Sequence, residues 1–250
     1  MDKSAEVFEK RLFDLENMAI QKGIVVFTDF MNLNELNILH NNRQKFSISW
    51  DTFGGYEFAE RQMAAFMPDA LYYDWNYPIT CLQIDLPHAR YSDKLTHRDY
   101  LGAILNLGIE RRAIGDIIVD TNHAYLFCTD KMSDFIVSEL CRIRSTTVSC
   151  KKIVDIKLSF HLKTEHITGT VASIRLDSIL AVAFQASRSS LVGLIEGGKV
   201  FVNGRLVVSN GYTLKENDII SARGLGKFRY LHTISQTKKG RYLVELEKYI

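Results

Sequence analysis

The sequence predicts an α+β protein in three parts. These are a small α/β unit over residues 1–75, a β-α-β-β-α-β domain over 76–155, and, after a linker at 156–173, a basic helix-and-hairpin domain over 174–250. Three observations carry this reading. Helical and alternating apolar spacings follow one another along the whole chain, with no all-helix or all-strand half. The 250 residues, 46% hydrophobic and 24% charged, suit two or three small cores better than one large one. The charge is also divided: Thr170–Ile250 holds 12 Lys/Arg against 6 Asp/Glu, whereas residues 1–169 hold 19 against 23. A basic end on an acidic body suits a protein that meets a polyanion at that end.

Taken in order, Phe8, Leu12, Leu15 and Ala19 stand at helical spacing within residues 5–20. Ile24–Phe27 reads as a short buried strand. Asn32 with Glu35 forms a capping box that opens a second helix through Leu39. Phe46, Ile48 and Trp50 alternate with polar residues as a half-buried strand, which Gly54-Gly55 breaks. A helix through Ala59, Met63 and Phe66 is expected up to Pro68.

Ile79–Ile84 then reads as a strand. Thr96 caps a helix from His97 to Leu107, with Asp99 in its first turn and Gly108 at its end. Ile117–Val119 and Ala124–Phe127 are strands around a turn at Thr121-Asn122-His123. A helix is expected from Lys131 to Arg144, with Met132, Ile136, Leu140 and Ile143 inward, and a β-branched strand over Thr146–Ile153 closes the set. This order is ferredoxin-like, the arrangement that RNA-recognition motifs also use (RRM-like). The topology alone hosts many activities. The aromatic strand motif of RNA-recognition domains is absent, so Tyr125 and Phe127 read as core residues.

At the C-terminal end, Leu176, Ile179, Leu180 and Ala183 form one apolar stripe. Ser187 occupies an N-cap position before a helix carrying Leu191, Leu194 and Ile195. Gly197-Gly198 ends that helix, Val200 and Val202 alternate, and Asn203-Gly204 is a two-residue hairpin turn. Leu206–Val208 runs back, and Asp218-Ile219-Ile220 begins a last strand. Asp177 reads as structural, paired with Arg175 or an amide.

The strings Arg175-Leu176-Asp177, Ser187-Arg188-Ser189, Gly198-x-Val200-x-Val202-Asn203-Gly204 and Asp218-x-Ile220 resemble the S4 (α-L-type) RNA-binding domain over roughly residues 174–222. The resemblance implies two helices on a small sheet, with the start of the second helix against RNA backbone. The chemistry suits it: a helix N-terminus presents free N–H groups to phosphate, and Arg188 adds a guanidinium fork. The RNA-binding candidates are Arg175, Ser187, Arg188, Ser189, Lys199, Asn203, Arg205, Arg223, Lys227, Arg229, Lys238, Lys239 and Arg241. Unlike many S4 domains, this one has few cations on its second helix, where Leu191-Val192-Gly193 and Glu196 stand. Weaker and less salt-sensitive binding from this module is the expected result.

Further strings cover the rest of the chain: Gly54-Gly55-Tyr56 with Ala59-Glu60-Arg61, His97-Arg98-Asp99-Tyr100-Leu101-Gly102-Ala103, Leu107-Gly108-Ile109-x-Arg111, and Ile114-Gly115-Asp116-Ile117. Together with Arg223-Gly224-x-Gly226-Lys227-Phe228 and Thr237-Lys238-Lys239-Gly240 they resemble the YlmH family of bacterial proteins. That resemblance implies a non-enzymatic factor of ribosome-associated quality control. Its partners would be rRNA and tRNA on the obstructed large subunit and the factor that adds template-free alanine tails. Arg98, Arg111 and Arg112 form a basic cluster and are the candidates for a secondary RNA contact.

The residues also leave open an rRNA- or tRNA-modifying enzyme resembling a pseudouridine synthase, for which Asp99 and Asp116 are the available bases. His97 falls toward the apolar side of its helix and reads as a capping or core histidine. Cys81, Cys128, Cys141 and Cys150 form no paired motif, so buried free thiols are expected and no metal or other cofactor is implied. No apolar run reaches the roughly 18–20 residues that span a membrane, and the start of the chain shows no signal segment. A cytoplasmic protein without a membrane partner is the expectation.

Overall fold

A computed structural model describes residues 3–71, 73–87, 95–120, 123–153 and 163–249. The chain divides into two compact units, 1–160 and 161–250. Helix α1 (Lys3–Lys22) buries Leu12 and Ala19. It also buries Glu16, whose carboxylate accepts hydrogen bonds from the Ser47 amide and hydroxyl. Strand β1 (Val26–Phe27) leads to α2 (Leu33–Asn41), opened by the expected box: Asn32 accepts from Asn34 and Glu35, and Glu35 accepts from Asn32 N–H.

Two expectations fail in the next stretch. The alternation at Phe46–Trp50 becomes strand only at β2 (Ser49–Phe53), because Phe46 is drawn off to pack on Phe13 and Phe66. The helix expected through Met63 and Phe66 is strand β3 (Met63–Met67), the centre of a three-stranded sheet ordered β1-β3-β2. Met63 to Phe66 are all buried. A run that is apolar on both faces carries no period to separate strand from helix, and the neighbours on either side decide it.

The middle of the chain gives β4 (Ile79–Asp85), α3 (His97–Asn106), β5 (Ile114–Val119), β6 (His123–Thr129), α4 (Asp130–Glu139) and β9 (Ser149–Ile153). Between α4 and β9 lie the two-residue strands β7 (Arg142–Ile143) and β8 (Thr146–Thr147). The sheet order β5-β6-β4-β9, antiparallel throughout, is ferredoxin-like. Its core holds Leu82, Ile84, Tyr100, Ile104, Leu126 and Ile136. Tyr125 and Phe127 are buried, as expected of core residues. Helix α4 stops at Glu139, short of the expected Arg144. The β7–β8 hairpin turns through Arg144 at φ +52°, while Leu140 and Ile143 stay buried and so preserve the helical spacing past its end. In the expected turn before β6, Thr121 and Asn122 lie outside the described residues.

The small sheet and the ferredoxin-like sheet meet within the first unit through residues 54–62. Asp116 on β5 accepts from the Tyr56 hydroxyl at 2.7 Å, the Glu60 amide at 2.7 Å and the Arg61 amide at 3.0 Å. Arg61 in turn donates to the carbonyls of Ile114, Phe30 and Arg111. Gly55 (φ +98°) lies so close to Phe127 that a Cβ there would come within 2.3 Å of the ring.

The second unit contains one six-stranded sheet, β10-β15-β14-β13-β11-β12, with two helices against it. Its elements are β10 (Thr164–Val171), α5 (Leu176–Phe184), α6 (Arg188–Glu196), β11 (Val200–Val202), β12 (Arg205–Leu206), β13 (Ile219–Ala222), β14 (Gly226–Gln236) and β15 (Tyr242–Tyr249). Asn203 (φ +49°) and Gly204 (φ +77°) make the hairpin turn read from their sequence. Residues 164–171, counted with the linker, are strand β10, paired with β15 along its length; residues 154–162 lie outside the described residues. The C-terminal stretch is likewise part of the fold. Phe228, Val244 and Leu246 are fully buried with Leu176, Ile179 and Leu180, and at roughly 2 kcal/mol per buried apolar side chain they are a substantial share of this core. Among the described residues no helix is long and apolar enough to cross a membrane.

Candidate nucleic-acid interface

Helix α5 ends in left-handed Gln185, and the chain turns at once into α6 with Ser187 as its N-cap. The Ser187 hydroxyl accepts from the Ser190 amide at 3.4 Å and lies 3.1 Å from the Ser189 hydroxyl. Arg188, the first helical residue, reaches back across this corner. Its guanidinium donates to the buried Ser178 hydroxyl at 2.7 Å, and Ser178 donates to Asp177 at 3.3 Å. From the other side, Arg175 Nε lies 3.4 Å from the same Asp177 oxygen.

Arg175 thus lies directly against a mostly buried carboxylate, and Arg188 is joined to the same carboxylate through Ser178. Among the described residues Arg188 uses one of its five N–H donors in this way, which leaves the others for another acceptor. Holding the fork in place beforehand lowers the entropy lost when a phosphate binds. Asp177 has the structural role its position suggested. Ser178 carried no cue beyond its place next to that aspartate.

The remaining candidates separate into two groups. Lys199 and Arg205 are exposed on the β11–β12 arm, and Lys238 and Lys239 are exposed at the β14–β15 tip. Arg223 is exposed with its guanidinium 5.0 Å from the Phe201 ring centre. The others do structural work. Asn203 donates to Asp218 at 2.8 Å and accepts from the Ile219 amide at 2.9 Å, so its side chain holds the turn. Arg229 lies in the sheet beside Glu247, with only 13% of its side chain exposed, and Lys227 is half-buried on the same strand. Arg241 donates to the Thr170 carbonyl at 2.9 Å, fastening β15 to β10.

In the first unit the three arginines expected to act together have separate surroundings. Arg111 donates to the carbonyls of Ile114 and Gly115, and burial, with the neighbouring Arg61 charge, brings its guanidinium down to about 10. Arg112 pairs with Glu110 at 2.5 Å. Arg98 is exposed and lines an open groove of about 430 Å³ together with Arg142 and Arg144. Sequence reasoning missed the last two because it placed them in a helix.

Both aspartates considered as bases are engaged. Asp116 accepts the three hydrogen bonds from Tyr56, Glu60 and Arg61. Asp99 accepts from the Thr96 amide and hydroxyl and pairs with Arg144 at 2.6 Å. The Thr96 bonds, with help from Arg144, hold the Asp99 carboxyl below its ordinary range. His97 opens α3 with much of its surface in solvent, so it is not a core residue.

Comparison with known proteins agrees with this anatomy. Residues 74–157 match the family described as the putative RNA-binding domain in YlmH, and residues 174–220 match the S4 domain. The chain is 27% identical over 250 residues to the ribosome-associated protein quality control protein P2 of Bacillus subtilis (strain 168), covering 98% of this chain and 96% of the relative. In fold it is similar to a solved structure, the cell division protein ylmH from Streptococcus pneumoniae, with a TM-score of 0.53 at 20% identity over 64% of this chain and 97% of that one. A match to the RNA-binding domain described in YlmH is thus followed by a match to the S4 domain, and along nearly its whole length the chain is similar to the Bacillus subtilis quality control protein.

Proposed function

We propose that this protein is a non-enzymatic, cytoplasmic RNA-binding factor of ribosome-associated quality control. In this reading the α5–α6 corner grips the backbone of structured RNA, rRNA and tRNA on an obstructed large subunit. Held there, the tRNA stays in place while the tailing factor extends the stalled chain without a template. The observation that carries the reading is the Arg188–Ser178–Asp177–Arg175 chain at the start of α6, because it sets guanidinium forks beside a helix N-terminus. The relative's name, a ribosome-associated quality control protein, supplies the process.

Sedimentation with purified large subunits tests it. Binding is expected at low salt, falling steeply as salt rises, with a loss of about 10–100-fold for Arg188→Glu, the range of one charge-assisted contact removed and a repulsion added. Unchanged binding by that variant would contradict the reading. Mass spectrometry of RNA nucleosides from cells with and without the protein separates it from the modifying-enzyme reading: an altered profile would favour the enzyme.

A further inference from the structure

We infer that the groove between α3 and the β7–β8 hairpin is a second RNA-backbone site, binding phosphates through Arg98, Arg142 and Arg144. This rests on the reading of the protein as an RNA binder and adds a contact surface in the first unit. One wall is a single stripe of α3 formed by Arg98, Gly102 and Asn106 with Asp99, Ala103 and Leu107; the other is Glu139, Leu140, Arg142 and Arg144. The stripe from Arg98 to Asn106 spans about 12 Å of helix.

The charges in the groove are unequally committed. Asp99 is taken up by Thr96 and by Nε of Arg144, which leaves the terminal nitrogens of that guanidinium for another acceptor. Among the described residues Arg98 and Arg142 are exposed and have no ion-pair partner, and Glu139 bonds only to the neighbouring Ser138 hydroxyl. Among the described residues three arginines therefore face two carboxylates, Asp99 and Glu139, and with Asp99 paired to Arg144 the groove keeps an excess of one positive charge.

Two positions beside these cations run against local backbone preference. Gly102 sits in mid-helix with open space around its missing side chain, although alanine there would be about 1 kcal/mol more favourable. Nothing in the packing demands that glycine, but it leaves the groove floor clear. Arg144 occupies a left-handed turn position (φ +52°) that glycine or asparagine fills more cheaply. Departures of this kind are expected where a site is kept for binding.

Arginine forks suit phosphate, and this stretch matches a family described as a putative RNA-binding domain. Both favour nucleic acid over an acidic polypeptide.

The test titrates the full-length protein against a fluorescein-labelled structured RNA hairpin over a range of salt. Arg98→Glu/Arg142→Glu is expected to weaken binding at least tenfold and to reduce the log–log salt slope by about 1–2, with the melting temperature unchanged. Arg98→Lys/Arg142→Lys keeps most of the affinity. Gly102→Leu, which fills the floor without touching charge, weakens it. If the Glu variant binds within twofold of wild type while Arg188→Glu loses binding, the groove inference is overturned and the corner stands. If the reverse holds, the groove stands and the corner fails. Wild-type protein that ignores RNA overturns both. If poly-glutamate displaces the RNA as well as unlabelled RNA does, the groove belongs to an acidic protein partner and the inference fails.

Discussion

The Arg188 guanidinium and the Ser178 hydroxyl are joined by a 2.7 Å hydrogen bond that crosses from one helix to the next. The bond costs Arg188 little of its donor capacity and fixes where the rest of the fork points. Ser178→Ala removes the anchor but leaves the charge. The expected effect is a few-fold loss of RNA affinity, from a bond worth about 1 kcal/mol, with a salt slope unchanged from wild type. Fluorescence titration reads both quantities, and a changed slope would mean that Ser178 had not acted through positioning alone.

Asp116 behaves as a rivet between the two sheets of the first unit. Asp116→Asn weakens three hydrogen bonds to a charged acceptor, and a loss of about 2–3 kcal/mol is expected, seen as a drop in melting temperature. A catalytic Asp116 would instead show an unchanged melting temperature and a lost RNA modification. Calorimetry with nucleoside analysis tells the two apart.

His97 sets a pH dependence. Partial burial, then the Arg111 charge, hold its imidazole below the ordinary 6.5, against the opposing pull of Asp116 and Glu60. Between the lowered folded value and 6.5 the unfolded chain binds more protons than the folded one, so stability rises with pH across that window. The contribution is complete above 6.5 and is lost as pH falls through the folded value. Urea midpoints measured across this window should be flatter for His97→Gln than for wild type.

The cysteines divide by environment. Burial pushes the Cys81 thiol up to about 12 and Cys150 up to about 11, and it raises Cys128 as well, whereas Cys141 is exposed. The expectation of buried thiols therefore holds for Cys81 and Cys128 and fails for Cys141. Because thiolate is the reactive form, a maleimide at neutral pH should label Cys141 first, and the others only in denaturant. Peptide mapping by mass spectrometry checks the order.

Much of the fold was legible because its signals are local. The Asn32–Glu35 and Thr96–Asp99 caps, the Asn203-Gly204 turn and the Ser187 N-cap each join residues no more than four apart, and all stand in the structure where the residues placed them. In the candidate site the Ser187 cap was legible for the same reason, whereas the bond from Arg188 reaches ten residues back to Ser178. The site was less legible at Arg229 and Arg241, whose partners Glu247 and Thr170 are brought up by strand pairing.

The sequence by itself determined the class of fold, the ferredoxin-like order and the cation that opens α6, since these follow from spacing and from contacts within a turn. Only tertiary structure decided that Met63–Met67 is a strand, that Thr164–Val171 joins the sheet and that α4 stops at Glu139. For the two strands the deciding free energy comes from partners far along the chain. Ala65 pairs with Phe27 and Asp51, and Ile167 pairs with Leu246, associations that no short window of residues contains.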